Sequence, residues 1–481
     1  MNIIDDHEVL VVGCGIAGLS AANRAAELGH DVGVLEKAPK EHRGGHTRFS
    51  ESFRVPSTEA DIEQYGYEFA IGDYTPDDFY KDIMKQTDGR ADTELARTLV
   101  DNAGPTVEWL TKRGVNWDME PLNVGYTVAR TFFDGEELVA DLVEAAEEDG
   151  ATFYYRTEAT ELLVDERGTA SGIRARTDDG LVEYQADVII VGAGGYESSE
   201  EKRTRYYGSD YDAMKVRGSR YNTGGAIDML IDAGANAVGQ WGGAHMALID
   251  SASPDVEGGA NRVDGYQYGV LLNNDGERFF DEGEDARAHT YAKLGRIIFE
   301  EPGHTAYIVI DEPLKQHIRA TGPSDPVVGD SVEAVLEELG CENPDQGAAT
   351  VEEFNAACDP DEYDPDSLDG NRTEGLNINK SNWALPIDEP PFYGYSVTGG
   401  ITFGFGGVAT DTKARALDTV ERPISGLYVA GNTTGGLFFN NYPGGTGLTN
   451  AAVYGKIAAE NAVELLEGNT PESTAEPLGE K

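Results

Sequence analysis

The sequence predicts an α/β fold organised around a parallel sheet, and three observations carry that expectation. An apolar run at 9–12, VLVV, reads as a buried strand. Gly13, Gly15 and Gly18 follow it in G-x-G-x-x-G spacing and open an Ala/Leu-rich helix that runs to about Leu28. A second strand, at 32–35, ends in an acid, Glu36. The order has a physical reason. The first glycine allows a tight turn, the second lets the backbone approach a pyrophosphate, and the third lets helix and strand pack closely, while the helix N-terminus attracts phosphates. Glu36 stands 18 residues past Gly18, where an acid meets ribose hydroxyls. A Rossmann-like dinucleotide-binding unit therefore opens the chain, with Gly13, Gly15, Ile16, Ala17, Gly18, Glu36 and Lys37 as its first candidate contacts.

A chain of 481 residues can hold two or three domains and bury large cores. Acids outnumber bases 87 to 37, for a net charge of −50 spread along the sequence. Such a surface repels nucleic acid and anionic membrane. It suits an enzyme that works in concentrated salt, where screening makes self-repulsion tolerable. Cys14, Cys341 and Cys358 are too few and too scattered for a disulfide framework, a zinc site or an iron–sulfur cluster. The start has neither a basic region nor a long apolar core, and no run of 18 apolar residues occurs, so the expected compartment is the cytoplasm.

Residues 73–150 read as mainly helical, for example 92–113 and 136–148, from apolar positions three and four apart. Residues 151–164 alternate enough for one strand, and Glu166-Arg167-Gly168 signals a hairpin turn. A further buried strand at 186–195 ends in Ala193, Gly194 and Gly195. From about 246 to 396 the composition shifts to Asp, Glu, Pro and Gly with weaker periodicity, as expected of an inserted domain, and 359–369 reads as a solvated acidic loop. The stretch at 398–411, TGGITFGFGGVATD, has too many glycines for a simple strand, so close backbone approach to a ligand is expected. The last helix is expected at 451–465.

After Glu36 the chain reads KAPKEHRGGHTRFSES. Gly44 and Gly45 mark a loop where backbone approaches something flat or charged, with His46, Thr47, Arg48 and Ser50 as donors. Here the sequence resembles the flavoproteins of the fumarate reductase/succinate dehydrogenase superfamily, in which a GG-N/H-T string lies along the flavin. The resemblance recurs at Arg130-Thr131 with Asp134-Gly135, at 222–235 (NTGGAIDMLIDAGA), at 239–245 (GQWGGAH), at 269–281 (GVLLNNDGERFFD), at 426–436 (GLYVAGNTTGG) and at 440–450 (NNYPGGTGLTN). It implies FAD, held by a glutathione-reductase-type domain at 1–243 and 397–468, with an α+β cap at 244–396 and a disordered tail at 469–481. The implied contacts add Gly44, Gly45, His46, Thr47, Arg48, Ala159, Ala193, Gly194, Gly195, Gly431, Asn432, Gly447 and Leu448. Gly225 stands where the family has an aspartate, and Asn432 where it has an acid. At Gly447 and Leu448 a helix N-terminus would face the flavin's pyrimidine end and stabilise the charge of its reduced form.

The implied chemistry is oxidation or reduction of a CH–CH bond beside a carboxylate or ketone. A hydride moves to flavin N5 from one carbon and a base takes a proton from the next, so donors must hold enolate-like charge. Arginine or histidine suits a carboxylate, tyrosine a ketone. His245 is the implied carboxylate ligand and Arg287 the implied proton donor or acceptor, with Tyr291, Lys293 and Arg296 as rivals; Arg262 and Arg48 add positive charge. Where fumarate reductases carry a histidine this chain has Phe403 and Phe405, with hydroxyls at Thr398 and Thr402, and where they carry an arginine it has Tyr442. The GITF-x-FGG string and the 291–296 stretch look like the tricarballylate dehydrogenase branch. The expectation is therefore oxidation of a tricarballylate-like acid to its alkene, with electrons leaving to a separate carrier. A fumarate reductase, a 3-ketosteroid dehydrogenase (from Tyr-Pro-Gly at 442–444) and a flavin-free binding protein are the alternatives.

In succinate dehydrogenases a histidine at the place of His46 is bonded covalently to the flavin, while noncovalent relatives carry asparagine. Acid precipitation of the protein is expected to release its flavin into the supernatant; flavin retained in the pellet would establish the bond.

Overall fold

The computed structural model describes residues 3–56, 74–117 and 130–468; the tail expected to be disordered, 469–481, lies outside them. The body is built on a sheet in the order Arg415–Leu417, Pro423–Val429, Gly180–Val191, Ile3–Val12, Val32–Leu35, Thr152–Tyr154. From Pro423–Val429 onward the neighbours are parallel, and Val9 is paired with both Val32 and Val188. The first strand needs its unbroken apolar run because it is covered on both faces. Val9 and Val11 point into the core shared with the first and last helices, and Leu10 and Val12 into a second core. That second core lies under an antiparallel meander of Glu158–Val164, Ala170–Thr177 and Gly180–Val191.

The first helix, Ile16–Glu27, crosses the last, Thr446–Leu466, so closely that a Cβ on Gly455 would sit 2.2 Å from the Ala17 carbonyl oxygen. Helices Thr93–Lys112 and Gly135–Glu148 are capped by Asp92 and Asp134, whose carboxylates each accept two backbone N–H bonds. No helix among the described residues is long and apolar enough to cross a membrane.

Three sequence expectations are corrected. The single strand expected at 151–164 breaks in two, because Arg156 is left-handed (φ 55°) and the chain bends there off the edge of the parallel sheet. The last helix begins at Thr446, five residues early, behind a left-handed Gly445. The glycine-rich stretch does form a strand, Phe392–Val408, and protein atoms lie where side chains on its glycines would go. A Cβ on Gly399 would lie 2.2 Å from the Gly295 oxygen, on Gly404 2.8 Å from the Tyr207 hydroxyl, and on Gly407 2.5 Å from the Thr433 oxygen.

This strand pairs antiparallel with Ala237–Asp250, from Ala237↔Val408 to Asp250↔Val397. Thr305–Ile310 and then Val270–Asn273 extend the second sheet on its other side. The boundary expected at 243/244 falls inside the long ladder, and the one expected at 396/397 falls inside strand Phe392–Val408, at the ladder's end. Helix Arg287–Phe299 lies on the ladder through Gly295, where a Cβ would sit 2.3 Å from the Ala247 oxygen.

Gly295→Ala is therefore expected to cost about 1–3 kcal/mol or more in denaturant unfolding. A Gly295 variant as stable as its parent would remove the close packing proposed for this helix.

Candidate active site

A long cleft of about 1610 Å³, counting its open mouth, runs from Glu36 and Ala159 in the body to His245 and Tyr442 at the cap. Its body end is shaped by backbone. Gly13 is left-handed (φ 102°), and a Cβ there would lie 2.6 Å from the Gly192 oxygen; a Cβ on Gly18 would lie 1.9 Å from the Gly13 oxygen. Gly15 meets nothing closer than 3.5 Å, so its backbone stays open to the cleft. Glu36 is buried, and its carboxylate accepts from Cys14 N at 2.9 Å and Ala38 N at 2.7 Å. A carboxylate has about four acceptor sites, so room for sugar hydroxyls remains. Burial pushes its pKa up, against the pull of those two N–H groups. Lys37 bridges Thr223 and Glu158 across the same end.

Three helices begin on this cleft: Ile16–Glu27, Gly225–Asp232 and Thr446–Leu466. All have a glycine N-cap and no side-chain cap. Five helices elsewhere are capped by Thr75, Asp92, Asp134, Ser199 and Ser331. Uncapped helix starts offer N–H groups and partial positive charge to an anionic ligand. The donor set suits a dinucleotide: an acid for ribose, glycines for close approach, and helix starts for phosphate and for a flavin ring.

Of the expected contacts, Gly13, Gly15, Ile16, Ala17, Glu36, Lys37, Gly45, His46, Thr47, Ala159, Ala193, Gly194, Asn432, Gly447 and Leu448 line the cleft. Gly18, Gly44, Arg48, Gly195 and Gly431 stand behind its wall. Gly18 and Gly431 serve packing against Gly13 and Ala17, and Gly44 faces Val139. Arg48 donates to Glu136 and to the Glu41 oxygen. A Cβ on Gly195 would strike the Glu197 carboxylate at 2.2 Å.

Glu197 was not legible from spacing. It is fully buried, and its Oε1 accepts from Gly404 N at 2.8 Å and Asn432 Nδ2 at 3.0 Å. Its Oε2 lies 3.9 Å from His46 Nε2. Burial raises Glu197 to about 7, against the Gly404 hydrogen bond. Burial lowers His46 to about 4, aided by the Arg217 charge and opposed by Asn222. Tyr196, Tyr207 and Arg203 are the other titratable groups near Glu197.

At the cap end, His245 sits between two register shifts, Gln240/Ala244 and His245/Met246, which re-aim its side chain into the cleft. Its ring centroid lies 4.8 Å from Tyr442, 5.1 Å from Tyr291 and 5.6 Å from Phe403. The Tyr291 and Tyr442 hydroxyls are hydrogen-bonded at 2.8 Å. Thr402 Oγ1 accepts from Arg217 Nη1 at 2.8 Å. Arg262 lines the cleft and ion-pairs with Glu51, another lining residue, and its Nε is 3.4 Å from Asp264. Arg287 does not line the cleft: its Nε and Nη2 donate to Asp264 at 2.8 and 2.6 Å, and its guanidinium lies 4.2 Å from the Tyr291 ring. Lys293 turns to Glu284 and Arg296 to the Gly242 oxygen. Arg217, Glu51, Asn222 and Phe49 are also on the wall; Phe49 and Glu51 stand in the string after Glu36 and Asn222 opens the string at 222–235 without being singled out there, and Arg217 lies in none of these strings.

The paired shifts of His46 and Glu197 generate a pH test. Unfolded, the glutamate releases its proton near 4.5 and the histidine near 6.5; folded, they do so near 7 and 4. Between 4.5 and 6.5 the pair holds one proton in either state, so it adds no slope to stability. In Glu197→Gln only the lowered histidine remains, and stability should rise as pH climbs from about 4 to 6.5. In His46→Asn only the raised acid remains, and stability should fall from about 4.5 to 7, each by up to about 1.4 kcal/mol per pH unit. Equal slopes in all three holoproteins, by chemical denaturation, would show that the two groups do not compensate.

Comparison with known proteins bears on the same cleft. The "Probable fumarate reductase Ifc3" of Shewanella frigidimarina is 27% identical over 95% of this chain and 75% of its own length. The "NADH:fumarate oxidoreductase" of Klebsiella pneumoniae is 28% identical over 96% of this chain, which spans 48% of that protein. The open conformation of a flavocytochrome c3 fumarate reductase superposes with a TM-score of 0.75 at 25% identity, covering 96% of this chain and 79% of that one. The family described as FAD binding domain matches residues 8–448. The glycine turn, the ribose acid and the convergent helix starts thus have an owner: the chain belongs to the FAD binding domain family, within the fumarate reductase/succinate dehydrogenase flavoprotein superfamily, and is an FAD-dependent oxidoreductase acting on CH–CH or C=C bonds.

Proposed function

We propose that the chain interconverts a small carboxylic acid with its α,β-unsaturated form, and that in the cell it runs as a dehydrogenase passing electrons to a separate carrier. Bound FAD supplies hydride acceptance and donation. The observation that carries the reading is the meeting, at one end of the cleft, of cationic donors with a hydrogen-bonded tyrosine pair. Arg262 and Arg217 bind the carboxylate and hold charge as it develops on it. Thr402 steadies Arg217 through the 2.8 Å bond. His245, edge-on or tilted to three rings, fixes Tyr442 in place.

Proton exchange at the substrate carbon is assigned to the Tyr442 hydroxyl, with Tyr291 as its hydrogen-bond partner. Arg287, the residue the resemblance implied for this role, acts from behind: its cation over the Tyr291 ring favours a negative charge on that oxygen. Tricarballylate is the acid the sequence resemblance names. The ketosteroid reading keeps Tyr442 in the same role, but would set a neutral ketone against guanidinium groups.

Anaerobic addition of a substrate acid should bleach the flavin band. Tyr442→Phe is expected to slow that bleaching about 10²–10⁴-fold while leaving the acid's affinity within a few-fold. Bleaching by a 3-ketosteroid and by no acid would replace this reading with the alternative.

The net charge of −50 further supports a working environment of concentrated salt. Raising KCl from about 0.1 M to about 2 M, which shortens the screening length from about 10 Å to under 3 Å, should raise the melting temperature. A melting temperature that falls over that range would remove the proposal.

A further inference from the structure

Behind the start of the last helix lies a charge that the site described so far does not use. Arg54, at the end of strand Ser52–Arg54, is fully buried at 0% exposure. Its Nε donates to the Gly444 oxygen at 2.8 Å. Its Nη1 donates to Asp82 Oδ2 at 2.9 Å and to the Tyr74 hydroxyl at 3.0 Å, and that hydroxyl donates to Asp82 Oδ2 at 2.7 Å. Burial pushes the Tyr74 pKa up, so the phenol stays neutral. The main chain is clipped to the same helix. Arg54 N–H is bonded to the Gly445 oxygen at 3.3 Å and to Thr449 Oγ1 at 3.1 Å, and the Thr449 hydroxyl donates to the Arg54 oxygen at 2.8 Å.

Gly444 leads into Gly445, the left-handed residue (φ 83°) before Thr446–Leu466. Gly445, Gly447 and Leu448 line the cleft, and Arg54 does not. The peptide between Gly444 and Gly445 is trans, so its carbonyl and its N–H point opposite ways. With the Gly444 oxygen held by Arg54, the Gly445 N–H faces away from the arginine. The bond also polarises that peptide and makes its N–H a stronger donor. Charge acts in the same sense. The cation meets the turn in the interior, where salt and water screen it little. Asp82, its counter-ion among the described residues, is held through a different nitrogen and has a side chain 22% exposed, so water screens it in part. The positive end of the pair therefore weighs more at the helix start than the negative end, and it adds to the partial charge of the helix itself.

We propose that Arg54 is a positioning residue for the cofactor: it fixes the turn at Gly444 and sets a buried positive charge behind the start of Thr446–Leu466, and so strengthens the hold of that helix start on the negative charge of reduced flavin. The inference rests on the family's FAD and on this helix start facing the flavin's pyrimidine end. It rests on no particular substrate.

The test uses the FAD-loaded protein and two readouts that need no turnover. One is the midpoint potential of the flavin, read by equilibration with a redox dye. The other is the affinity for sulfite, whose sulfur lone pair forms a bond to N5 of oxidised flavin and sends the negative charge onto the ring. Arg54→Gln keeps a donor and removes the charge. It is expected to weaken sulfite about tenfold and to lower the potential by the equivalent, about 30 mV for a two-electron couple. Arg54→Lys keeps the charge and loses the fork, and should lie nearer the parent than the glutamine variant does. Asp82→Asn removes the counter-ion in the same shape and should shift both readouts the other way, to tighter sulfite and a higher potential. The opposite sign separates charge from structure, since a merely structural role would weaken sulfite in all three. FAD content reports whether each variant has folded; if the glutamine variant fails, the lysine and asparagine variants decide. A glutamine variant within about threefold of the parent, a lysine variant that falls as far as the glutamine one, or an asparagine variant that binds sulfite no tighter would each overturn the inference. Because no acid takes part, failure of the dehydrogenase reading would leave these results untouched.

Discussion

The ladder between Ala237–Asp250 and Phe392–Val408 is the constraint on which the rest of the molecule depends. Its residues His245, Thr402 and Phe403 form one wall of the cleft. Its glycines accept helix Arg287–Phe299 on one side and the side chains of Tyr196 and Tyr207 on the other. That helix brings Tyr291 to Tyr442, and Thr402 steadies Arg217. A side chain at Gly399 or Gly404 would push apart the surfaces that carry these groups. The density of glycine here is a packing requirement, and the cleft's shape follows from it.

At the opposite end the grip on the nucleotide rests on omission. Five helix starts elsewhere receive a Ser, Thr or Asp cap, while the three that face the cleft have glycine there. Their partial positive charge then favours an anionic ligand, although the first N–H of Ile16–Glu27 already donates to Thr47 Oγ1 at 2.9 Å. Glu197 works in the other direction. It puts a carboxylate in the interior and ties Gly404 of the ladder to Asn432 beside the cleft. With burial raising its pKa to about 7 beside a neutral His46, it adds a joint that carries little charge below neutral pH.

What could be read from the sequence was local. The turn at Gly13–Gly18, the acid Glu36 and the helix capped by Asp92 are each written within a few residues, because their geometry is set by neighbours along the chain. The cleft positions 45–47 and 447–448 were legible through resemblance, for the same reason. Arg217, Glu51 and Glu197 were not, because each depends on a partner far along the chain: Thr402 for Arg217, Arg262 for Glu51, and Gly404 and Asn432 for Glu197. The stretch at 398–411 shows the limit in another form. Its glycines announced a close approach, but not what approaches. Arg287 was read as a catalytic arginine of this region, and the structure sets it on Asp264, off the cleft lining. Its direction was not legible, since Asp264, which turns it from the cleft, lies in a separate short strand.

One consequence of the shared ladder concerns how a ligand gets in and out. Eleven residue pairs join Ala237–Asp250 to Phe392–Val408; they cross the first place where a boundary between lid and body was expected, and the second falls within the strand Phe392–Val408. A lid attached by two loose linkers can swing open on a hinge at little cost. Here a swing would tear backbone hydrogen bonds out of the middle of a sheet. Opening is confined to shear and twist of that sheet, with the two register shifts beside His245 as the places where the pairing is already relaxed.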